Sequence, residues 1–306
     1  MIRIGMVGAG VIAAAHADAI AENRDCNLEV VCDIDISKAE KVAMIHNATI
    51  VTDYKKINNV DAVIINLPHY LHCEVSCYFL EKGISVLVEK PMANTLDECD
   101  KMIETARLNN AKLAVGHVQK YFSANREMKR LIESERLGKL CMICEVRNID
   151  YLSGRPKWFL KKNMSGGGIV MNYGAHSLDR ILYTTGKKIK SVNSVISNPI
   201  SDDDVELNAQ ILLGLEDDIS ASITFCGCHV PGEYEISYYF TNGVAKIKNG
   251  CELLVYEKGK WSNYGGESRL MPLQLSEFVK FINGEKSEIV TAKEGKEIIE
   301  ILQKIV

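Results

Sequence analysis

Lys90 and His176 are the residues of this chain best suited to moving a proton. Lys90 stands in the run Glu89-Lys90-Pro91, directly after apolar residues, and His176 follows a triple glycine at 166–168. Oxidation of an alcohol needs a group that accepts the hydroxyl proton, and the reverse reaction needs the same group to return it. A lysine has a pKa of about 10.4, which burial or a nearby positive charge would have to lower, whereas a histidine already titrates near neutral pH. The plainer alternatives are a solvated lysine at a strand end and a core histidine.

A glycine turn near the start of the chain predicts a nucleotide site. Residues 8–13 read Gly-Ala-Gly-Val-Ile-Ala, follow an apolar run at 2–7 and open a segment with helical periodicity. In such a turn Gly8 permits the tight bend, Gly10 lets the backbone approach a pyrophosphate, and the small Ala13 lets helix and strand pack closely. The pyrophosphate would bind the free amides at the helix N-terminus. On its own, a glycine turn of this kind can also be purely structural.

Asp33 strengthens the nucleotide interpretation and indicates which nucleotide is bound. It lies 25 residues after Gly8, just past the second apolar run, where a carboxylate accepts hydrogen bonds from the adenosine ribose. The same carboxylate would repel a 2'-phosphate, and the neighbouring Ile34 offers no compensating positive charge. We therefore expect NAD as the cofactor, with NADP disfavoured. The alternative is that Asp33 only begins a turn over 33–37.

The first 117 residues alternate short Val/Ile-rich runs with segments of helical periodicity. Strands are predicted at 2–7, 28–32, 49–51, 62–66, 85–89 and 112–115. Helices are predicted at 11–22, 37–46, 70–82 and 95–109. Ser37 to Glu40 and Thr95 to Glu98 both fit the capping box that begins a helix. Strands that alternate with helices of this length imply parallel crossovers, and hence an α/β Rossmann domain with a doubly wound parallel sheet.

After residue 122 the pattern changes. Helices are predicted at 125–135, 169–183, 273–282 and 293–305, and strands at 139–150, 205–213, 219–225, 233–240, 244–248 and 252–256. The pairs Asn242-Gly243 and Asn249-Gly250 are hairpin signals, so the strands should form a large, mostly antiparallel open sheet. We expect two domains: a dinucleotide-binding Rossmann domain at 1–120, and an α+β domain for substrate binding and oligomerisation at 121–306.

Composition and charge exclude several other classes of protein. The 36 Lys and Arg against 40 Asp and Glu give a formal charge of -4, which implies no broad surface for nucleic acid or anionic lipid. The chain has no run of 18 apolar residues and no signal-peptide pattern at its start, so we expect a cytoplasmic protein. Its ten cysteines are expected to be reduced thiols rather than disulfides or a metal site. Cys141 and Cys144 would point to opposite faces of a strand.

Several motifs together carry a resemblance to a known family. They are residues 8–13 with His16, residues 68–72, residues 83–93 with Glu89-Lys90-Pro91, residues 115–117 with Lys120 and Tyr121, residues 137–138, and residues 166–168 followed by 174–179. With these motifs, nearly the whole chain resembles the Gfo/Idh/MocA family of glucose-fructose oxidoreductase, inositol dehydrogenase and the rhizopine-catabolism protein. The resemblance implies a nicotinamide enzyme that oxidises or reduces a sugar, a cyclitol or a related carbonyl compound.

The resemblance also implies the residues of the site. The candidate catalytic residues are Lys90, His176 and Asn172. The candidate cofactor-binding residues are Gly8, Gly10, Val11, Ile12, Asp33, Asn66, Leu67, Pro68, His72, Glu89 and Lys90. The candidate substrate-binding residues are His117, Trp158, Asn172, Tyr173 and His176. No metal is expected, and His69 is expected to face solvent.

Asn172 is where the chain departs from the family. Members with an acid-histidine pair carry an aspartate four residues before the histidine, and here that position is Asn172. On an α-helix this spacing places Asn172 and His176 on one face, so the amide can still position substrate or imidazole. An amide cannot stabilise an imidazolium by charge, so Lys90 is expected to carry more of the proton transfer. Asp179 could compensate, although an ordinary role in the helix is the simpler reading.

Three functions remain open at this point. The first is a dehydrogenase or reductase acting on the CH-OH groups of a polyhydroxy compound. The second is a glycosidase that uses bound NAD for a transient oxidation, and the third is a dinucleotide-binding sensor without catalysis. Trp158 and Phe159 could line a sugar pocket, because an aromatic face suits the apolar side of a sugar ring, or could simply pack in the core. The antiparallel sheet has too few helices to cover both its faces, so a homodimer or homotetramer formed through it is expected.

Overall fold

The computed structural model describes residues 1–306, apart from the side chain at position 45. The chain forms two compact units, which are Met1–His117 with Leu270–Ile299, and Val118–Arg269 with Glu300–Val306. From the sequence, we expected a domain boundary at residue 120, with all of 121–306 in the second domain. In the structure, 270–299 belong to the first unit instead.

The first unit contains a six-stranded parallel sheet. Its strands are β1 (Ile2–Val7), β2 (Cys26–Cys32), β3 (Thr49–Val51), β4 (Ala62–Ile65), β5 (Ser85–Val88) and β6 (Leu113–Val115). They alternate with the helices α1 (Val11–Glu22), α2 (Ile36–His46), α3 (His72–Leu80) and α4 (Leu96–Leu108). The strand order is β3-β2-β1-β4-β5-β6, which confirms the predicted Rossmann sheet. The order reverses between β1 and β4, so a ligand site is expected beyond the carboxyl ends of these strands.

Two helix starts in this unit were predicted as capping boxes, and the structure confirms one of them. At α4, the Thr95 hydroxyl accepts a hydrogen bond from the Glu98 backbone N–H at 3.2 Å, and the Glu98 carboxylate accepts one from the Thr95 N–H at 3.1 Å. At α2 the prediction of a Ser37 cap is wrong. The helix begins at Ile36, and the side chain of Asp35 accepts the capping hydrogen bond from the Ser37 N–H at 3.1 Å.

The second unit contains an eight-stranded, mostly antiparallel sheet. Its elements are α5 (Ser123–Glu133), β7 (Leu140–Asn148), α6 (Lys162–Ser165), α7 (Ala175–Thr185), β8 (Ile189–Ser197), β9 (Asn208–Leu215), β10 (Ser220–Cys226), β11 (Glu233–Phe240), β12 (Gly243–Lys248), β13 (Glu252–Glu257) and β14 (Lys260–Asn263). The strand order is β14-β13-β12-β11-β7-β10-β9-β8, and of the described strand pairs in this second sheet only β7–β10 is parallel. This confirms the predicted sheet, while the two edge strands β8 and β14 were not predicted.

The chain returns to the first unit with α8 (Leu270–Ile282) and most of α9 (Ala292–Gln303). On α8, Leu275, Phe278 and Val279 are buried in the same hydrophobic cluster as Ile4 and Ile20. The apolar stripe of α8 therefore completes the core of the first unit, which explains why this helix is not part of the second.

None of the helices described combines the length and the hydropathy that a membrane crossing requires. The structure holds the ten cysteines as free thiols.

Candidate functional site

The glycine turn between β1 and α1 has the form that a bound pyrophosphate needs. Gly8 has a φ of +94°, and a Cβ added there would lie 2.6 Å from the carbonyl oxygen of Asn66, so only glycine fits. A Cβ added at Gly10, by contrast, would meet nothing within 4 Å. The backbone at Gly10 is therefore bordered by open space, at the amino end of α1. That open space fits the phosphates of a dinucleotide.

Asp33 lies beside this turn and keeps hydrogen-bonding capacity for a ribose. Its Oδ2 accepts a hydrogen bond from the Ala9 backbone N–H at 2.7 Å, and its Oδ1 accepts one from the Asp35 N–H at 2.8 Å. A carboxylate has about four lone-pair sites, so about two remain for ribose hydroxyls. Asp33 therefore does begin a turn, which was the alternative to ribose binding. Its carboxylate also keeps lone pairs that can accept hydrogen bonds from a ribose. Next to it, Ile34 is 92% exposed, and Val11 in the glycine turn is 99% exposed.

The loop that follows β4 carries further predicted cofactor residues. The Asn66 backbone N–H donates to the carbonyl of Val7 at 2.7 Å, and its Oδ1 is buried with no hydrogen-bond partner among the described residues. His72 has no exposed surface, and its two ring nitrogens face the carbonyl oxygens of Leu67 at 2.8 Å and Pro91 at 2.9 Å. Burial lowers the pKa of His72 even though both carbonyls favour its protonation. Its ring ties the loop after β4 to the turn after β5, so it can act on a cofactor only by positioning these loops.

His69 was expected to face solvent, and the structure shows this to be wrong. Its side chain is 4% exposed, and its ring centroid lies 5.6 Å from that of His72. The 3₁₀ turn His69–Leu71, which begins after Pro68, turns the ring inward ahead of α3.

Glu89 fixes the turn that carries Lys90. Its Oε1 lies 3.0 Å from Nε2 of His16 on α1, and its Oε2 accepts a hydrogen bond from the Lys90 backbone N–H at 3.1 Å. Burial opposes ionisation of this carboxyl, but the hydrogen bond to His16 and the charges of His16 and Lys90 hold its pKa below the usual value. A cis peptide bond joins Lys90 to Pro91. The half-buried Lys90 thus stands at the carboxyl end of β5 on a turn anchored to α1.

In the second unit, the helix predicted over 169–183 begins as a π-helical turn. The π turn spans Val170–Gly174 and continues as α7, which ends at Gly186 as expected. Glu206 holds its start, because Oε1 accepts hydrogen bonds from the backbone N–H groups of Gly168 at 2.8 Å and Val170 at 2.9 Å. Asn172 and Tyr173 lie within the π turn, whereas the predicted common face of Asn172 and His176 assumed regular α-helical spacing.

Gln119 contacts His176 and was not found from the sequence. Its Nε2 lies 3.3 Å from Nδ1 of His176, while its Oε1 accepts hydrogen bonds from Arg180 Nη1 at 2.9 Å and Asn125 Nδ2 at 3.2 Å. Because two donors point at Oε1, the amide can turn only its NH₂ group towards His176. Nδ1 of His176 is therefore an acceptor, and the neutral ring carries its proton on Nε2.

Arg180 fixes the orientation of the Gln119 amide. It is 1% exposed and pairs with Glu145 at 2.7 Å, and the other oxygen of Glu145 accepts a hydrogen bond from Ser177 at 2.7 Å. Burial opposes the charge of Arg180, but Glu145 and the neighbouring tyrosines raise its pKa above the usual value. Asp179 lies in the same network, where its Oδ2 accepts from the Gln119 backbone N–H at 3.2 Å. No motif in the sequence marks Gln119, Glu145 or Arg180, since their roles depend on contacts far apart in the chain.

The remaining candidate substrate residues lie in different surroundings. Trp158 and Phe159 stack on each other with ring centroids 3.8 Å apart. Tyr173 accepts a hydrogen bond from Arg155 at 2.8 Å, and its ring centroid lies 6.4 Å from that of His176. His117 is fully buried at the end of β6.

Comparison with known proteins identifies both parts of the chain. Residues 2–117 match the family model described as "Oxidoreductase family, NAD-binding Rossmann fold", and residues 125–246 match the Gfo/Idh/MocA C-terminal domain. Among solved structures, the WlbA dehydrogenase of Bordetella pertussis, in complex with NADH and UDP-GlcNAcA, has the same fold. Its TM-score is 0.85 at 21% identity, over 99% of this chain and 95% of that one.

Two curated relatives are 29% identical to the chain. The first is the 1-carboxy-3-chloro-3,4-dihydroxycyclo hexa-1,5-diene dehydrogenase of Comamonas testosteroni, aligned over 231 residues that make up 74% of this chain. The second is the D-glucoside 3-dehydrogenase of Escherichia coli (strain K12), aligned over 201 residues, or 63% of this chain. The chain spans only 58% and 57% of the lengths of these two relatives.

Proposed function

Because the chain belongs to the Gfo/Idh/MocA oxidoreductase family and contains its NAD-binding Rossmann domain, we propose that it is a dehydrogenase or reductase acting on ring hydroxyl groups. Its substrate is a sugar, a cyclitol or a related polyhydroxy compound. The observation that carries this proposal is the open backbone at Gly10 beside the Asp33 carboxylate, together with Lys90 at the end of β5. The names of the two relatives support the substrate class, since one acts on a glucoside and the other on a dihydroxylated ring.

When bound, NAD supplies the group that accepts the hydride. The residues of the chain bind and orient the substrate and transfer the proton. Lys90 takes the hydroxyl proton during oxidation and returns it during reduction, from the carboxyl end of β5 where ligands of such sheets bind. His176 donates a hydrogen bond from Nε2 to the substrate oxygen, because Gln119 occupies its Nδ1. Asn172 orients the substrate or the imidazole without adding charge.

A panel of sugars, cyclitols and sugar acids, incubated with the protein and NAD or NADH, tests the proposal through the change in nicotinamide absorbance. We expect turnover of at least one compound and its loss in Lys90→Ala. Cleavage of a glycoside without net NADH formation would instead support the glycosidase. Tight NAD binding with no turnover of any compound would support the sensor.

The cofactor preference is a separate prediction. We expect NAD to bind roughly tenfold to a hundredfold more tightly than NADP, because a carboxylate contact to the ribose and repulsion of the 2'-phosphate together amount to about 1.5 to 3 kcal/mol. Titration calorimetry with both nucleotides measures this difference, and Asp33→Ser should narrow it. Equal affinities in the unaltered protein would contradict the prediction.

We also propose that the protein forms a homodimer or homotetramer through the second sheet. Val195, Leu212, Met142 and Val146 are 72%, 61%, 40% and 37% exposed. The strand register places all four on one face. Leu212 pairs with Ser222, and Ser222 pairs with the residue midway between Met142 and Val146 on β7, while Val195 pairs with the residue two positions before Leu212. A second copy would cover these apolar side chains.

A further inference from the structure

Two arginines of the second unit carry positive charge that no carboxylate among the described residues neutralises. Arg147 lies on β7, and Arg155 lies in the loop that follows this strand. Both side chains are half-buried. Their side-chain contacts within the described part of the chain are with aromatic rings and with the hydroxyl groups of Tyr173 and Tyr234. Partly buried cations are normally paired with acids, so this arrangement calls for an explanation.

Tyrosine rings hold both guanidinium groups in place. Arg147 lies 3.6 Å from the ring centroid of Tyr234 and 4.7 Å from that of Tyr173. Arg155 lies 4.1 Å from the ring centroid of Tyr151 and donates a hydrogen bond to the Tyr173 hydroxyl at 2.8 Å. Contact with a ring face leaves the in-plane N–H groups of a guanidinium available, and these match the two oxygens of a carboxylate or phosphate.

Two buried acids of this unit, Glu145 and Glu206, have other partners. Glu145 pairs with Arg180 at 2.7 Å. Glu206 accepts hydrogen bonds from the backbone N–H groups of Gly168 and Val170. Neither carboxylate forms an ion pair with Arg147 or Arg155.

One donor of the pair also lacks an acceptor. Nε of Arg155 is buried and has no hydrogen-bond partner among the described residues. A buried donor without a partner is destabilising, and an anion bound at this place would supply the missing acceptor and the missing charge.

We propose that Arg147 and Arg155 bind an anionic group, a carboxylate or a phosphate, on the ring compound that the enzyme oxidises or reduces. Tyr173 connects these arginines to the reacting groups, because its ring centroid lies 6.4 Å from that of His176. The inference rests on the proposed function and narrows its substrate class to acidic sugars or cyclitols.

Trp158 provides a reporter for a binding test that needs no turnover. It stacks on Phe159, whose ring centroid lies 5.5 Å from the Arg155 guanidinium. The chain has only two tryptophans, so Trp261→Phe leaves Trp158 as the sole indole fluorophore. In this background, with NAD present, we would titrate D-glucose, D-glucuronate and D-glucose 6-phosphate as the neutral, carboxylate and phosphate probes.

The variants Arg147→Gln and Arg155→Gln remove each charge in turn. Arg130→Gln is the matched control, because Arg130 is an exposed arginine on α5 that pairs with Glu127. We expect one or both acids to bind at least tenfold more tightly than D-glucose, and each site variant to weaken acid binding about tenfold to a hundredfold. Tighter binding of D-glucuronate would identify a carboxylate as the preferred group, and tighter binding of D-glucose 6-phosphate would identify a phosphate.

The proposal is overturned if D-glucose binds as tightly as both acids, if neither acid binds, or if acid binding survives both site variants. Circular dichroism of each variant shows whether a loss of binding comes from a loss of fold. The comparison of acidic with neutral probes needs only the Trp261→Phe protein with both arginines in place. Because binding is read by fluorescence, failure of this inference remains separate from failure of hydride transfer in the compound panel.

Discussion

Lys90 and His176 have different tasks in the proposed reaction, and the difference can be measured. We expect Lys90→Ala to reduce turnover by about a hundredfold to ten-thousandfold, because it removes the proton acceptor and a group of this kind contributes that much to the rate. NAD affinity should stay within about tenfold, since the glycine turn and Asp33 make most of the cofactor contacts. His176→Ala should reduce turnover less, because it removes one hydrogen-bond donor. Steady-state kinetics with calorimetry of NAD checks both variants, and a larger loss for His176→Ala would reverse the assignment.

Gln119 determines which nitrogen of His176 carries the proton. In the unaltered protein we expect the Nε2–H tautomer, because the Gln119 NH₂ group faces Nδ1. In Gln119→Glu, a carboxylate would face Nδ1, so the proton should move to that nitrogen and the imidazole pKa should rise. The new carboxylate would lie beside Arg180, which favours a stable fold.

Nitrogen-15 spectra of histidine-labelled protein distinguish the two tautomers directly. The chain has seven histidines, and the His176→Ala spectrum identifies the relevant signals. An Nδ1–H tautomer in the unaltered protein would show that Gln119 does not control the ring. So would an unchanged tautomer in Gln119→Glu.

In the turn between β1 and α1, Gly8 has a structural role and Gly10 a ligand-binding role, and substitutions can test the two roles separately. Gly8→Ala should destabilise the protein by about 1–3 kcal/mol, because the residue has positive φ and its Cβ would press on the Asn66 carbonyl. Gly10→Ala should leave stability unchanged, because its Cβ would enter open space, but should weaken NAD binding about tenfold or more by occupying the place of the phosphates. Thermal unfolding and NAD calorimetry on both variants test this contrast. Unchanged NAD affinity in Gly10→Ala would show that the pyrophosphate does not bind at this turn.

The Rossmann elements could be predicted because their signals are local. A strand, a glycine turn and a helix follow one another within residues 2–22, and the predicted bounds of β1 and α1 agree with the structure. The Thr95 capping box is equally local. The π turn at Val170–Gly174 was missed, because its geometry depends on Glu206, which lies far along the chain.

Edge strands and distant contacts explain the other differences. β8 exposes most of its residues, so it lacks the alternation of buried and exposed positions that marks a strand in the sequence. Gln119 and Arg180 are ordinary polar residues in the sequence, and only folding brings them to His176. The helical pattern of α8 was predicted, but a pattern does not show which core the apolar stripe joins.

At the scale of the whole molecule, the exposed face of the second sheet predicts self-association. We expect light scattering to give the mass of a dimer or tetramer, and Leu212→Lys to shift it towards the monomer. Leu212 is 61% exposed in the single chain, so the change should leave the fold intact. Leu108→Lys is a matched control, because Leu108 is 64% exposed on α4 of the first unit. A monomeric mass for the unaltered protein would contradict the proposal.

The return of the chain to its first unit has a consequence for how the protein is made. The ribosome completes residues 1–117 early, but the core that they form still lacks Leu275 and Phe278 of α8. At about 5–20 residues per second, the intervening segment takes on the order of ten to thirty seconds to synthesise. During that time the nascent Rossmann sheet exposes the apolar surface that α8 later covers. The unit that emerges first is therefore completed late, and this interval is when a nascent-chain chaperone would be most needed.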